Sequence, residues 1–217
     1  MNEKPTEKPS VTRQQLTDQY DSWYGAQEVV FGDGQPNPAV SKITDYLDSG
    51  RVVDIGGGEG RDAIWLAEQG FEVTVLDLSE VGINKLKTLA AEKDLPIHTK
   101  VSDVIEEGIG GDYEAAVLAF VLHHMSNAHA RKIIDETKNC TVVGGLNIIS
   151  TFMNEGELYE RNEISGRFYP SLDDMRELYA DWEIKELSSR QSVSFARNKD
   201  GSRMKNLTVE LIAQKPA

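Results

Sequence analysis

The residues best placed to do chemistry lie in one stretch, residues 52–67, which reads as a strand, a glycine-rich turn and a helix. Gly56 and Gly58 follow a β-branched run, and a glycine backbone can turn sharply and approach a ligand closely because it has no Cβ. Asp54 and Glu59 add negative charge, which would repel a pyrophosphate but not a ligand that carries an ammonium and a sulfonium. The stretch therefore predicts a site for a ligand with cationic groups.

Two further acids follow predicted strands. Asp77 lies about twenty residues after Asp54, at the position from which a carboxylate can accept from both ribose hydroxyls, with Leu78 next to it. Asp103 ends the next strand, where it can accept from an adenine amino group beside the Val104 amide. In doubly wound sheets, ligands bind at the carboxyl ends of the strands. These acids predict a nucleoside site without distinguishing NAD from other nucleoside cofactors.

Arg61 occupies the position where the dinucleotide pattern Gly-x-Gly-x-x-Gly requires its third glycine. An NAD-dependent oxidoreductase is therefore disfavoured. An arginine in the first turn of a helix also opposes the helix dipole, so we expect a carboxylate beside it. The candidates are Asp62, Asp54 and a carboxylate of the ligand.

The elements that must position these residues alternate between strands and helices. This alternation predicts an α/β fold with a doubly wound, mostly parallel sheet. Predicted strands are 51–55, 72–76, 97–101, 113–120 and 146–151, and predicted helices are 14–24, 40–47, 80–92, 128–139 and 171–180. We expect residues 152–170 to be irregular, and two strands, 182–188 and 206–214, to form a C-terminal hairpin around Asp200-Gly201.

The composition limits the classes of function. The chain has 217 residues, a formal net charge of −13 and one cysteine, Cys140. We expect residues 1–13 to be a disordered tail and 14–217 to be a single domain. The negative charge argues against nucleic acid and anionic membranes as partners. The lone cysteine, with no apolar core near the N-terminus and no apolar run long enough to span a membrane, favours a cytoplasmic protein. The oligomeric state is left open.

The predicted hairpin concentrates positive charge in an otherwise acidic chain. Such a cluster can focus a field that draws in an anionic substrate, or it can be a solvated hairpin tip. Its basic residues are Arg190, Arg197, Lys199, Arg203 and Lys205.

Histidines and aromatic residues complete the candidate site. His123 and His124 follow the fourth strand, where either could act as a general base or simply pack against the ligand. A group of aromatic residues could cover the pocket and exclude water, although each could equally belong to the core. These are Tyr20, Trp23, Tyr24, Phe168 and Tyr169.

From Tyr20 to about Lys215 the chain resembles the tellurite-resistance methyltransferases, small class I enzymes that use S-adenosylmethionine (SAM). The resemblance lies in the loop from Asp54 to Arg61, in Asp77 and Asp103, and in a C-terminal part that includes Phe168, the segment 179–182, Asp200-Gly201 and Arg203. It implies a seven-stranded sheet with an antiparallel last strand, and methylation of a soft anion such as tellurite or selenite, or of a comparable small molecule. The family often places a His-Arg pair before the hairpin turn, whereas this chain reads Ala196-Arg197.

The residues and the resemblance together give a set of expected roles. Residues expected to bind SAM are Tyr20, Trp23, Asp54, Gly56, Gly58, Arg61, Asp77, Leu78, Asp103, Val104 and Phe120. Expected catalytic residues are His123, Arg197 and Arg203, and the expected substrate pocket contains Tyr24, His124 and Phe168; no metal is expected. The alternatives are a methyltransferase for an unrelated small metabolite and a non-catalytic SAM-binding module.

Overall fold

The computed structural model describes residues 12–26, 34–161 and 166–217, and for residues 194–196 it describes the backbone alone. One seven-stranded sheet has the order β3-β2-β1-β4-β5-β7-β6. Its strands are β1 (Arg51–Ile55), β2 (Glu72–Asp77), β3 (Ile97–Val101), β4 (Tyr113–Ala119), β5 (Thr141–Gly156), β6 (Glu183–Arg197) and β7 (Arg203–Gln214). Strands β1 to β5 pair in parallel, and β7 pairs antiparallel with both β5 and β6. The predicted fold class is confirmed.

Eight α-helices are described in these ranges. They are α1 (Arg13–Ala26), α2 (Pro38–Ser41), α3 (Arg61–Glu68), α4 (Glu80–Glu92), α5 (Val104–Glu107), α6 (Asn127–Cys140), α7 (Glu157–Arg161) and α8 (Leu172–Leu178). Short 3-10 helices cover Lys42–Asp45 and Leu122–His124. No helix in the described ranges has both the length and the apolar character needed to cross a bilayer.

The core lies on both faces of the sheet, because successive side chains of a strand point to opposite faces. Val52 packs with residues of α3 and α4, including Leu66 and Ile83. Its neighbour Val53 packs on the other face with residues of α6 and α8, including Ile133 and Met175. This double coverage explains the nearly continuous apolar sequence of the central strands.

Several predicted boundaries are wrong, and tertiary pairing explains two of the larger errors. Strand β5 begins at Thr141 rather than 146, β7 begins at Arg203 rather than 206, and α7 lies within the segment predicted to be irregular. Residues 152–156 continue β5, because Phe152 pairs with Thr208 and Gly156 with Asn206 across β7. Strand β6 runs past the predicted end at residue 188, because Ser192 also pairs with Asn206 of β7. The helix expected at 40–47 is a short α2 followed by a 3-10 turn. The predicted disordered tail lies outside the described residues except for Thr12 and Arg13, and Arg13 begins α1.

Candidate active site

A large cavity lies at the carboxyl ends of the central strands, where a doubly wound sheet places its ligands. Its volume is about 1560 Å³, larger than the roughly 300–1,000 Å³ of a typical site for one small molecule. The structure brings many of the predicted residues to its walls: Tyr20, Trp23, Tyr24, Asp54, Gly56, Arg61, Asp77, Leu78, Asp103, Val104, Phe120, His123, His124 and Arg203. The cavity therefore has room for a second molecule beside a cofactor.

The glycine loop after β1 presents backbone to this cavity. Gly56 has a φ of 71°, and a Cβ there would lie 2.5 Å from Cγ2 of Val121. Gly58 has a φ of 55°, and a Cβ there would collide with the Tyr24 hydroxyl. A side chain at either position would be strained by its dihedral angle and blocked by its neighbour. The loop is therefore restricted to glycine for reasons that the sequence pattern alone does not show.

Asp54 lies at the base of this loop. Its side chain is buried, with 1% of the residue exposed, and Oδ2 has no hydrogen-bond partner among the described residues. Burial, reinforced by the negative charge of Asp62, raises the pKa of Asp54 well above its usual value. An unsatisfied buried carboxyl oxygen is costly unless a donor or cation compensates it. The site therefore suits a ligand that carries positive charge.

Asp77 organises the loop as well as facing the cavity. Its Oδ2 accepts from the Gly58 amide at 2.8 Å and its Oδ1 accepts from the Ser79 amide at 2.7 Å. Burial raises the pKa of this carboxyl, and the two amide bonds oppose that rise. Each oxygen keeps a further lone pair, so Asp77 can still accept from ligand hydroxyls. Together with the glycine loop and Asp54, it gives a site that fits SAM.

Two charged residues of the glycine loop, Arg61 and Glu59, form ion pairs within the protein. Arg61 forms a two-bond ion pair with Asp62, with distances of 3.1 Å from Nε to Oδ1 and 2.9 Å from Nη2 to Oδ2. Asp62 is therefore the carboxylate expected beside this arginine. Glu59 is 2.5 Å from Nζ of Lys85, so Lys85 offsets the negative charge that was expected to repel pyrophosphate. In the loop, Asp54 is therefore the acid that favours a cationic ligand.

Asp103 lies at the third strand end and contacts α1. Its Oδ1 accepts from the Ile105 amide at 3.0 Å and so caps α5, while Oδ2 pairs with Arg13. The same guanidinium is 2.9 Å from Glu106. We refer to Asp54, Asp77 and Asp103 as the acidic end of the cavity.

Helix α1 covers the cavity with the aromatic residues that the sequence singled out. Tyr24 is buried against Gly58 and Gly82, and a Cβ on Gly82 would lie 2.9 Å from its Cδ2. The Tyr20 ring packs edge-on against Trp23 and His124. The predicted aromatic cover therefore exists for α1.

Another part of the cavity wall is built around the turn after β4. Phe120 there has a φ of 59°, a strained conformation for a bulky residue. His123 is 5% exposed, and its ring centroid lies 4.0 Å from that of His124. Nε2 of His124 is 2.6 Å from the Tyr20 hydroxyl. Burial lowers the pKa of His124 to about 3 and that of His123 well below its usual value, so both imidazoles are neutral near pH 7.

Arg167 is a residue that the sequence analysis missed. It lines the cavity, and its positive charge further lowers the pKa of both histidines. The available signal was a cation directly before the aromatic pair Phe168 and Tyr169. We refer to His123, His124 and Arg167 as the imidazole end of the cavity.

Three predicted residues do not line the cavity. The first is Gly58, whose amide donates to Asp77. Phe168 is 2% exposed and packs in the core beside α6 and α8. Arg197 lies at the exposed hairpin tip, where Nη1 donates to the Gly201 carbonyl at 2.7 Å. Three other hairpin cations reach the cavity: Arg190, Arg203 and Lys205. Of these, Arg190 is paired with Glu210 at 2.7 Å. The basic cluster is therefore divided, and the roles predicted for Phe168 and Arg197 lose their geometric basis.

Comparison with known proteins gives consistent results. The crystal structure of TehB from Haemophilus influenzae superposes with a TM-score of 0.74 at 24% identity, covering 92% of this chain and 66% of that one. A 1,6-didemethyltoxoflavin-N1-methyltransferase from Burkholderia thailandensis, solved with 1,6-didemethyltoxoflavin and S-adenosylhomocysteine, gives a TM-score of 0.70 at 21% identity over 98% of this chain and 94% of that one. These likenesses support the fold.

Sequence comparison identifies the family. The probable SAM-dependent methyltransferase TehB of Haemophilus influenzae (strain ATCC 51907 / DSM 11121 / KW20 / Rd) is 27% identical over 165 residues, which are 76% of this chain and 57% of the relative. The chain thus spans little more than half the length of that curated relative. A family model described as tellurite resistance protein TehB matches residues 35–212. The chain therefore belongs to the TehB tellurite-resistance family of SAM-dependent methyltransferases.

Proposed function

We propose that this protein transfers the methyl group of SAM to a small-molecule acceptor. The observation that carries the proposal is the cavity itself, whose volume of about 1560 Å³ combines a glycine loop and an acidic end with a separate imidazole end. Family membership supports the same chemistry, since the curated relative is named a probable SAM-dependent methyltransferase.

The acidic end would hold the cofactor. In this proposal, Asp77 accepts from the ribose hydroxyls, and Asp103 with the Val104 amide receives the adenine edge. Asp54 offers Oδ2, which has no hydrogen-bond partner among the described residues, beside the glycine loop. Bound there, SAM supplies a methyl group that its sulfonium already activates for displacement. The protein's own contribution is orientation and exclusion of water by the aromatic residues of α1.

The acceptor we favour is a small soft anion, such as tellurite or selenite. Such an oxyanion brings its own lone pair and needs no base to remove a proton. That requirement fits the imidazole end, because a histidine whose pKa is about 3 is a weak base near pH 7. His123 and His124 therefore act as neutral walls of the pocket in this proposal.

Two alternatives use the same cofactor. An unrelated small metabolite would replace the oxyanion if it had its own nucleophilic atom. A non-catalytic SAM-binding module is less consistent with the structure, because the cavity exceeds the volume of a typical single-ligand site. As for setting, we propose a cytoplasmic location and no nucleic-acid or membrane partner, on the basis of the single cysteine and the net charge of −13.

The test combines binding and turnover. Calorimetry should show S-adenosylhomocysteine binding and no heat with NAD, and the reverse result would exclude the proposal. Methyl transfer from SAM should then be measured with selenite and tellurite, and with a neutral thiol as the control acceptor. Turnover of the anions supports the favoured acceptor. Turnover of the thiol alone would indicate that the acceptor is an unrelated small metabolite.

A further inference from the structure

Arg167 is fixed beside the histidine turn by its backbone. It pairs with Ser126 in an isolated antiparallel bridge, and the next amide, that of Phe168, donates to the Met125 carbonyl at 3.0 Å. The amide of Asn127 donates to the Gly166 carbonyl, also at 3.0 Å. The buried Phe168 ring anchors the segment in the core. The base of the Arg167 side chain is therefore rigidly placed at the cavity wall.

The groups around this guanidinium are uncharged. Burial raises the pKa of Tyr20 well above its usual value, and that of Tyr169 is also raised, so both phenols keep their protons. The nearby positive charge of Arg167 opposes the rise in the pKa of Tyr169. His123 and His124 are neutral for the reasons given above. A full positive charge thus faces phenols and imidazoles in a partly buried setting.

Two acids of the cavity wall, Asp77 and Asp103, are engaged with other groups. Asp77 is bonded to backbone amides, and Asp103 is paired with Arg13. Within residues 12–26, 34–161 and 166–217, no Asp or Glu forms an ion pair with Arg167, in contrast to Arg190, which pairs with Glu210. A half-buried guanidinium with no carboxylate favours an anionic partner.

We propose that Arg167 holds the acidic group of the acceptor, placing an anionic small molecule against the His123–His124 turn. This proposal rests on the proposed function, and it assigns anion recognition to Arg167 rather than to the hairpin arginines. The planar guanidinium can bind two oxygens of an oxyanion at once. The acceptor class is therefore a small oxyanion or a small molecule with a carboxylate-like group.

The experiment observes the imidazoles, which adjoin the proposed anion, and needs no methyl transfer. Histidine side-chain NMR resonances are followed while inorganic sulfate, and separately selenite, is titrated into the protein with and without S-adenosylhomocysteine. In the wild type, the signals of His123 and His124 should shift and saturate, while the exposed His98 on β3 stays constant. Arg167→Gln should weaken the apparent anion affinity about 10- to 100-fold, and Arg167→Lys should restore part of it.

The controls separate the possible failures. Arg176→Gln removes an arginine from a surface pair with Asp173 and should titrate like the wild type. Equal anion affinity in Arg167→Gln and the wild type would overturn the proposal, as would a loss found in Arg203→Gln but not in Arg167→Gln. Absence of any histidine shift in the wild type would also overturn it. Failure of S-adenosylhomocysteine to bind would refute the proposed function while leaving the anion titration interpretable.

Discussion

The two ends of the cavity are built in different ways. At the acidic end, each carboxylate stands on a strand or just after one, and Asp77 and Asp103 each accept from a backbone amide two residues further along, those of Ser79 and Ile105. At the imidazole end, the neighbours come from distant parts of the chain: Tyr20 from α1, His124 from the turn after β4 and Arg167 from the segment before α8. Local sequence therefore encodes the acidic end, whereas tertiary packing assembles the imidazole end.

The largest expected effect tests whether the acidic end depends on its glycine backbone. Gly56→Ala should reduce S-adenosylhomocysteine affinity about 100-fold, because the new Cβ would lie 2.5 Å from Cγ2 of Val121 at a φ of 71°, where strain alone costs about 1–3 kcal/mol. The control is Gly70→Ala, which has a φ of 94° but nothing within 4 Å. Calorimetry that finds equal cofactor affinity in the two variants would remove the special role of this loop.

Within the acidic end, the carboxylates should differ in importance. Asp77→Ala should weaken S-adenosylhomocysteine binding about 100-fold and Asp103→Ala about tenfold. Asp77 loses both its hydroxyl contacts and its support of the Gly58 and Ser79 amides, and charge-assisted bonds contribute about 1.5–3 kcal/mol each. Calorimetric losses in the opposite order would show that the adenine contact, not the ribose contact, dominates.

The two ends should also respond to acid in opposite directions. The pKa of His124 is lowered to about 3, so protonation favours the unfolded chain, whose histidine pKa is about 6.5. The stability that comes from keeping it neutral is complete above about pH 6.5 and is lost as the pH falls toward 3. Asp54 has the reverse effect, because its pKa is raised in the folded protein. The stability that comes from keeping its carboxyl protonated is lost as the pH rises.

Urea unfolding between pH 7.5 and 5 measures the histidine part of this difference. The free energy of unfolding should fall more steeply with acid in the wild type than in His124→Gln, by up to about 1.4 kcal/mol per pH unit below pH 6. His98→Gln, on exposed β3, should follow the wild-type curve. Parallel curves for the wild type and His124→Gln would mean that His124 is not held neutral in the fold.

The smallest effects concern the hairpin. Arg203→Ala should lower kcat/KM for selenite by only about tenfold. Its side chain is exposed at the cavity wall, so solvent screens the charge that would attract the anion and limits the loss. Arg197→Ala should stay within about twofold of the wild type, because this guanidinium bonds to the Gly201 carbonyl outside the cavity. A larger loss of kcat/KM in Arg197→Ala, measured against the neutral thiol control, would indicate that the anion binds at the hairpin tip.

Sequence reasoning succeeded where the signal is local. The bounds of β1, α4 and β3 agree with the prediction to the residue, and α8 begins within one residue of its predicted start, where Ser171 and Asp174 form a capping box. Asp77 could be predicted as a site residue for the same reason, since a strand and a turn place it directly.

Reasoning from sequence failed where placement depends on remote contacts. Arg167 enters the cavity because its backbone pairs with Ser126, about forty residues earlier in the chain. The position of Arg197 outside the cavity follows from the bonding at the hairpin tip, which composition does not reveal. Phe168 was assigned to the pocket because it is aromatic, but its ring is used in the core.

Helix α1 bridges the two ends, and this has a thermodynamic consequence. Arg13 and Tyr24 contact Asp103 and Gly58 at the acidic side, while Tyr20 contacts His124 at the other. A ligand that contacts α1 from one side stabilises this position of the helix. The same position is the one that a ligand at the other side requires. Linkage makes that coupling reciprocal, so each ligand tightens the other by the same factor. Cofactor and acceptor are therefore expected to bind with positive heterotropic cooperativity, and release of one product should accelerate release of the other.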